Sequence, residues 1–278
     1  MNGFLTRAST ALVFVVVMLA GLFGGIQSFV LLFGVICALS LWEFLSLSLP
    51  RGEAFYSQRK LLAMLLGMSP YLIATIIQLQ FVEQPWQWLQ GILIFALPAV
   101  FLLFIFELFA AAKSPFANLA TMVLGLLYIG MPLALLLIIA IDGQQYLPKV
   151  VLGLLVLSWA NDTGAYMVGK QIGKTPLFPR ISPNKTWEGS LAGFFITFLA
   201  AYLLSLWSTG LPLKDWLVLA VIVGIFGSIG DLVESMFKRS KQIKDSGNFL
   251  PGHGGFLDRF DAFIFLLPFA AAYLLFIK

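Results

Sequence analysis

Charge is scarce in this chain, and so are the two side chains on which metal and redox sites most often depend. Only 11% of the 278 residues are charged and 60% are hydrophobic, too little polar surface to cover a soluble globule of that size. The single cysteine, Cys37, lies in an apolar run, which excludes an internal disulfide and reads as a small buried hydrophobe. One cysteine and one histidine, His253, cannot assemble a zinc site. Internal repeats, low-complexity tracts and a separate soluble domain are also missing.

What the chain does have is a succession of apolar runs near the length of about 20 residues that crosses a bilayer. They predict an all-α, polytopic membrane bundle of about nine spans, at 9–25, 28–48, 61–82, 88–110, 117–141, 149–169, 188–207, 215–237 and 257–277. Breaks at Gly24-Gly25, Pro50-Arg51-Gly52, Pro85 and Pro148 are turn signals, while Pro70, Pro98, Pro132 and Pro268 fall inside spans and read as packing kinks. Arg7 precedes a long apolar run without a small-residue cleavage site, so the first run reads as a retained span rather than a signal peptide. The expected division is an N-terminal membrane scaffold, 1–148, followed by a catalytic region, 149–278.

Fourteen of the 17 Lys and Arg residues fall on the side that holds the amino terminus; only Lys149, Lys214 and Lys278 fall on the other. Basic residues near span ends are retained in the cytoplasm, so the amino terminus is expected there and the carboxyl terminus opposite. Fusing the first two runs into one span would move Arg7 to the minority side and leave the later loops unchanged. Glu43, Glu53 and Glu107 read as interfacial residues outside any site.

Polar residues concentrate in two cytoplasmic loops, 170–187 and 238–256, and the acidic ones are the more informative. Asp231, Glu234 and Ser235 share one helical face at the end of the eighth expected span, and the ninth opens with Asp258-Arg259-Phe260-Asp261. Consecutive antiparallel helices bring these tips to one level although 27 positions separate Asp231 from Asp258. Carboxylates at a membrane edge are usually paired or functional. Either they form salt bridges with Lys238, Arg239 and Arg259, or Asp231 and Asp258 hold Mg²⁺, which takes oxygen ligands and shares them with substrate phosphates. Gly224, Gly227 and Gly230 serve close helix packing or leave room for a ligand.

Between these tips run Lys238-Arg239-Ser240-Lys241-Gln242-Ile243-Lys244-Asp245 and a glycine-rich turn with His253, Gly254 and Gly255. Cations, backbone amides and a helix start suit a polyphosphate. His253 is open to an acid–base role, to hydrogen-bond donation or to ordering of the loop. In the sixth span, Asp162, next to Asn161, sits about 10 Å from the cytoplasmic end at 1.5 Å per residue. They line a polar cavity or make interhelical hydrogen bonds. In the loop beyond, Ser182 is a candidate cap or phosphate ligand and Lys185 a candidate counter-charge.

The stretch Ser235 to Asp261 resembles the signature of the phosphatidate cytidylyltransferase family at Ser235, Lys238-Arg239, Lys244-Asp245, Gly247, Leu250-Pro251, His253-Gly254-Gly255-Phe256, Asp258-Arg259 and Asp261. Asn161-Asp162-Thr163-Gly164-Ala165-Tyr166 and Ser182-Pro183-Asn184-Lys185-Thr186-Trp187-Glu188-Gly189 are similar to two further motifs of that family. The likeness is strong over 158–261 and mainly hydropathic before it. It implies transfer of a cytidylyl group from CTP to phosphatidate, giving CDP-diacylglycerol and pyrophosphate, in a homodimer in the inner membrane of a bacterium. It also implies a requirement for Mg²⁺, with a second cation such as K⁺ beside it and Asp231 and Asp258 among the ligands. The implied catalytic set is Asp231, Asp258, Lys244, Asp245, His253 and Asp261. The implied substrate-binding set is Asn161, Asp162, Ser182, Lys185, Lys238, Arg239, Arg259, Gly254 and Gly255. No nucleic-acid partner is expected. Three rival readings stay open from sequence: a CTP-dependent polyprenol kinase, a cytidylyltransferase for another lipid phosphate, and an ion-coupled transporter with Asp162 and Asp231 inside the bundle.

Overall fold

The computed structural model describes residues 2–143, 145–208, 210–244, 246–247 and 255–277, with 2–8 described as backbone only. Among the described residues the chain forms nine helices: α1 (Asn2–Phe23), α2 (Ile26–Ser48), α3 (Tyr56–Gln78), α4 (Pro85–Phe109), α5 (Pro115–Ala140), α6 (Pro148–Ile172), α7 (Trp187–Trp207), α8 (Leu213–Ser240) and α9 (Asp261–Phe276). The seven from α2 to α8 are long and apolar enough to cross a membrane, whereas the apolar stretch 9–23 of α1 and the helix α9 are shorter. The protein is therefore an all-α, polytopic integral membrane protein. Its large outward-facing side chains, such as Leu93, Phe95 and Phe109, have lipid as their natural solvent. Two small hairpins complete the fold: β1 (Ile141–Asp142) with β2 (Gln145–Tyr146), and β3 (Pro176–Phe178) with β4 (Ser182–Thr186), both antiparallel.

The punctuation follows the proline and glycine chemistry. Pro85, Pro115 and Pro148 each open a helix, where the missing N–H removes no intrahelical bond. Gly25 and Gly52 take φ of 114° and 90° in the turns on either side of α2, a conformation that glycine adopts without a Cβ penalty. α5 and α8 each contain a π-helical turn, Leu126–Gly130 and Val223–Gly227. The first immediately precedes Met131-Pro132, so the ladder is already loosened where the proline lacks a donor.

Two compact units emerge, and they do not follow the linear division expected from sequence. One comprises Met1–Leu32 with Ile139–Lys278, the other Phe33–Ile138. α1 thus belongs with the later helices, a grouping that its uniform apolarity could not reveal. Within this unit the Tyr146 hydroxyl donates to the Leu22 carbonyl at 2.7 Å, and Phe29 packs on the Tyr146 ring.

The unit 33–138 corrects one expectation. Glu107 is not an interfacial residue: it is buried and clamped by Arg59, whose Nε and Nη2 donate to its two carboxylate oxygens at 2.5 and 3.2 Å. Asn118 Nδ2 adds a third bond at 3.1 Å, and Glu53 approaches Arg59 at 3.4 Å. A forked guanidinium pair of this kind satisfies an acid that would otherwise be strongly unfavourable inside the bundle.

In the larger unit, α6 and α7 meet through glycines. A Cβ on Gly164 would lie 3.2 Å from the Gly193 Cα, and one on Gly189 would lie 3.0 Å from the Gly169 Cα. Gly189 and Gly193 are four apart, the small-residue spacing that lets membrane helices approach closely. A Cβ on Gly193 would also come within 3.0 Å of Asn161 Oδ1. Replacing Gly193 by Val is expected to cost about 1–3 kcal/mol from overpacking. It should lower the midpoint of thermal unfolding in detergent; an unchanged midpoint would show that this contact is not tight.

Candidate active site

The site forms where the ends of four helices of the larger unit converge: the last turns of α6 and α8 and the first turns of α7 and α9. Each contributing element has a local cause. The β3–β4 hairpin turns the chain between α6 and α7. Glu188 fastens it, accepting from the Thr175 hydroxyl at 2.8 Å and from the Lys174 and Thr175 amides at 3.2 Å. Thr186 caps α7, its hydroxyl accepting from the Gly189 amide at 3.2 Å. The capping role considered for Ser182 therefore belongs to Thr186, while Ser182 is the half-buried first residue of β4.

In α8 the π turn ends at Gly227, just before Ser228 and Asp231, and the added residue turns the helix face that follows. Asp231, Glu234 and Lys238 then share that face at spacings of three and four. Gly230 sets the approach of α9, since a Cβ there would lie 2.6 Å from Phe265 Cβ and 3.1 Å from the Ala262 Cα. Two of these contact residues adjoin an acid, Gly230 beside Asp231 and Ala262 beside Asp261, so the crossing point carries the carboxylates together. Close packing is thus the role of Gly230, and of Gly224, where a Cβ would lie 2.5 Å from the Phe194 ring. Gly227 has only ordinary contacts at 3.8 Å.

Asp231, Glu234 and Asp261 offer carboxylate oxygens that all lie within 4.8 Å of one another, with Glu234 and Asp261 buried. Two lysines balance part of this charge. Lys185, from β4, pairs with Asp231, and Lys238 pairs with Glu234 and, at 2.7 Å, with Asp258. Ser235 Oγ is 3.5 Å from Asp231 Oδ1.

Asp258 has a different environment from the other acids. Its Oδ1 accepts from Lys238, and its Oδ2 accepts from the Ser246 and Gly255 amides at 3.0 and 2.8 Å. Burial opposes its ionisation, but hydrogen bonding with Glu234 and Lys238, the lysine charge and the Ser246 amide together hold the carboxyl well below the usual carboxylate range. It stays anionic and ties Ser246 and Gly255 to Lys238 in the last turn of α8.

Two cavities flank the carboxylates. The larger, about 680 Å³, brings Lys170, Lys174 and Lys185 together with Asn161, Asp162, Asn184, Thr186, Ser190, Ser228 and Asp231, and Ala165, Tyr166, Pro176 and Pro183 complete its walls. The smaller, about 340 Å³, is lined by Asp162, Asp258, Arg259 and Asp261 together with Phe14, Val15, Leu155 and Trp159. Asp162 borders both.

Of the residues singled out from sequence, Asn161, Asp162, Lys185, Asp231, Asp258, Arg259 and Asp261 line one cavity or the other. Asn161 is buried, donates from Nδ2 to Ser228 Oγ at 3.2 Å, and has no hydrogen-bond partner for Oδ1. Lys238 and Gly255 support Asp258 from behind. Arg239 lines neither cavity: its guanidinium donates to the carbonyls of Ile181 at 3.4 Å and Ile243 at 3.3 Å, joining the hairpin to the end of α8. Lys244 is exposed and also lines neither. Asp245, His253 and Gly254 lie outside the described residues. Sequence reading left Glu234 out of the site, although its spacing from Asp231 and Lys238 carried the signal. It also missed Ser228, Lys170 and Lys174, and it missed Phe14, for which an apolar helix offers no signal.

The fold and the site together define a membrane-embedded helical protein with a cluster of acids and lysines where α6, α7, α8 and α9 meet. The family model described as the cytidylyltransferase family matches residues 5–277, and the chain belongs to that family. It is 41% identical over 175 residues to the phosphatidate cytidylyltransferase of Bacillus subtilis strain 168, a match covering 63% of this chain and 65% of that protein, just under two thirds of its length. It is 39% identical over 184 residues to the proteins of the same name from Staphylococcus aureus strain COL and Staphylococcus haemolyticus strain JCSC1435, covering 65% of this chain and 69% of each.

Lys238 is the only cation that the structure pairs with both Glu234 and Asp258 among the described residues. Replacing it with Met leaves two largely buried acids without that charge and is expected to destabilise the protein by about 3–5 kcal/mol. Adding Glu234→Gln should restore part of the lost thermal stability. A Lys238→Met protein as stable as wild type would show that the ion pairs do not hold this end together.

Proposed function

We propose that this protein transfers a cytidylyl group from CTP to phosphatidate, forming CDP-diacylglycerol and pyrophosphate. The observation that carries the reading is the placement of a basic, polar cavity and an apolar-walled cavity on two sides of one carboxylate cluster, in a chain of the cytidylyltransferase family. The names of the Bacillus and Staphylococcus relatives support phosphatidate as acceptor.

The nucleophile is a phosphate monoester oxygen, already largely ionised at neutral pH because its second pKa is about 6. No strong base is required. The acceptor oxygen forms a bond to the α-phosphorus of CTP as the bond from that phosphorus to the bridging oxygen breaks, and pyrophosphate leaves with the electron pair. The difficulty is the approach of two anions. Lys185, Lys170 and Lys174 reduce that repulsion on the nucleotide side, Arg259 on the acceptor side, and the fixed walls hold the reacting atoms in line.

Mg²⁺ fits the donor set. Asp231, Glu234 and Asp261 are hard oxygen ligands within reach of one ion, and they outnumber the lysines paired with them. The sequence pointed to Asp231 with Asp258; Asp231 is common to both sets, whereas the oxygens of Asp258 already accept from Lys238 and from the Ser246 and Gly255 amides. A bound Mg²⁺ supplies charge neutralisation at the triphosphate oxygens. We also propose the homodimer that the family likeness implies, in the inner membrane of a bacterium, with the amino terminus and the site facing the cytoplasm and the carboxyl terminus opposite.

Purified protein incubated with labelled CTP, phosphatidate and Mg²⁺ should release pyrophosphate and label the lipid as a cytidylyl ester. A phosphorylated lipid alcohol would identify the kinase instead, and no lipid product from any acceptor would overturn the reading. Asp231→Asn and Asp261→Asn should each lower turnover at least about a hundredfold while the protein still inserts and elutes as wild type. Chelation by EDTA should abolish activity, and Mg²⁺ should restore it.

A further inference from the structure

α1 lies more than 100 positions from the motif-bearing residues, yet it supplies part of the wall of the 340 Å³ cavity through Thr10, Phe14 and Val15. A second, more open hollow of about 340 Å³ runs along the same helix, lined by Ser9, Thr10, Val13, Phe14, Val17 and Phe256. The two share Thr10 and Phe14. From Ser9 to Val17 the hollow follows the helix for about 12 Å at 1.5 Å per residue. Its outer wall, Val13 and Val17, is 61% and 49% exposed on a helix whose natural surroundings are lipid. Phe14 stands between it and the cavity lined by Arg259, Asp258 and Asp261.

The chemistry changes along this path from aliphatic at the helix surface, through one half-buried aromatic ring, to a guanidinium beside the carboxylates. That sequence matches a lipid bearing a phosphate monoester, whose tail is apolar and whose head carries the negative charge. The cavity on the other side of Asp162 is the one lined by Lys170, Lys174 and Lys185. The Phe14 ring is also held in place, 5.8 Å from the Phe260 ring and 6.4 Å from the Trp159 ring.

We propose that α1 is the acceptor-lipid wall of the site, its surface hollow taking an acyl chain and Phe14 determining which lipid phosphates pass from there into the cavity beside Arg259. The inference rests on the transfer reading above and assigns it a specificity-determining residue in a part of the chain without any motif. Phe14 acts on the acceptor and not on the nucleotide, so its replacement separates the two substrates.

The test measures initial rates with CTP and a diacyl phosphatidate in mixed micelles, and again with the corresponding monoacyl phosphate. Phe14→Trp narrows the junction and should raise the KM for the diacyl acceptor about tenfold or more, the scale of a pocket misfit, shift preference towards the monoacyl acceptor, and leave the KM for CTP within about twofold. An unchanged acceptor preference, or a change confined to CTP, would overturn the assignment. In parallel, the wild-type protein is photolysed with a phosphatidate carrying a diazirine in its acyl chain. Adducts on residues 9–17 are expected, and adducts confined to other helices would overturn the proposal even if the Phe14 variant failed to fold. If the wild-type protein made no cytidylyl lipid, the transfer reading would fall, while labelling of α1 would still report on the hollow.

Discussion

Everything at the polar end of the larger unit depends on an imbalance of charge that the fold creates and only partly relieves. Asp231, Glu234, Asp258 and Asp261 converge there, while Lys185 and Lys238 are the cations in ion pairs with them. Acids at a membrane edge are unfavourable unless paired, and a partly compensated cluster is a strong attractor for a cation. Arg59 and Glu107 in the other unit form the useful contrast. There a forked guanidinium and an asparagine amide engage one buried acid fully. The cluster at the end of α8 differs in holding more acids than lysines paired with them.

Several small devices are needed to maintain the imbalance. The π turn changes the direction of the α8 face on which Asp231, Glu234 and Lys238 lie, and Gly230 lets α9 come close enough to bring Asp261 into range. Glu188 and Thr186 shape the hairpin that delivers Lys185 to Asp231. Asp258 holds two points of the segment between α8 and α9, the amides of Ser246 and Gly255. None of these acts on a phosphate by itself. Each removes one freedom from groups that must be fixed before charges meet, which is how preorganised electrostatics lowers a barrier.

The helices were legible because a lipid-exposed helix is read from length and hydropathy alone, and Pro85 and Pro148 mark true starts. The acids were legible for a similar reason: charge is so scarce here that each carboxylate near a span end stands out. Other features depend on relations that a linear reading does not contain. That α1 belongs with the later helices follows from packing, because an evenly apolar helix carries no sign of its neighbours. That Glu107 is buried against Arg59 follows from a pairing 48 positions apart. The distinction between Asp258, held by a lysine and two amides, and Asp261, placed in the carboxylate cluster, turns on three residues of sequence and the 3₁₀ turn Leu257–Arg259 that joins them. No spacing rule separates two acids so close together.

The two cavities bear on a problem that any enzyme joining a water-soluble nucleotide to a membrane lipid must solve. The nucleotide is held best by a wall of lysines and hydroxyls, whereas the acyl part of the lipid is held best where there are none. A single pocket would compromise both. Here the polar wall comes from α6, α7 and the β3–β4 hairpin, and the apolar wall from α1 and the opposite side of α6, with Asp162 at the border. On the proposed function, the one place where the two environments touch is also where the acceptor oxygen must reach the α-phosphorus. The division of labour between helix faces then serves the chemistry directly, because each substrate remains in the solvent that suits it until only the reacting groups are left to meet.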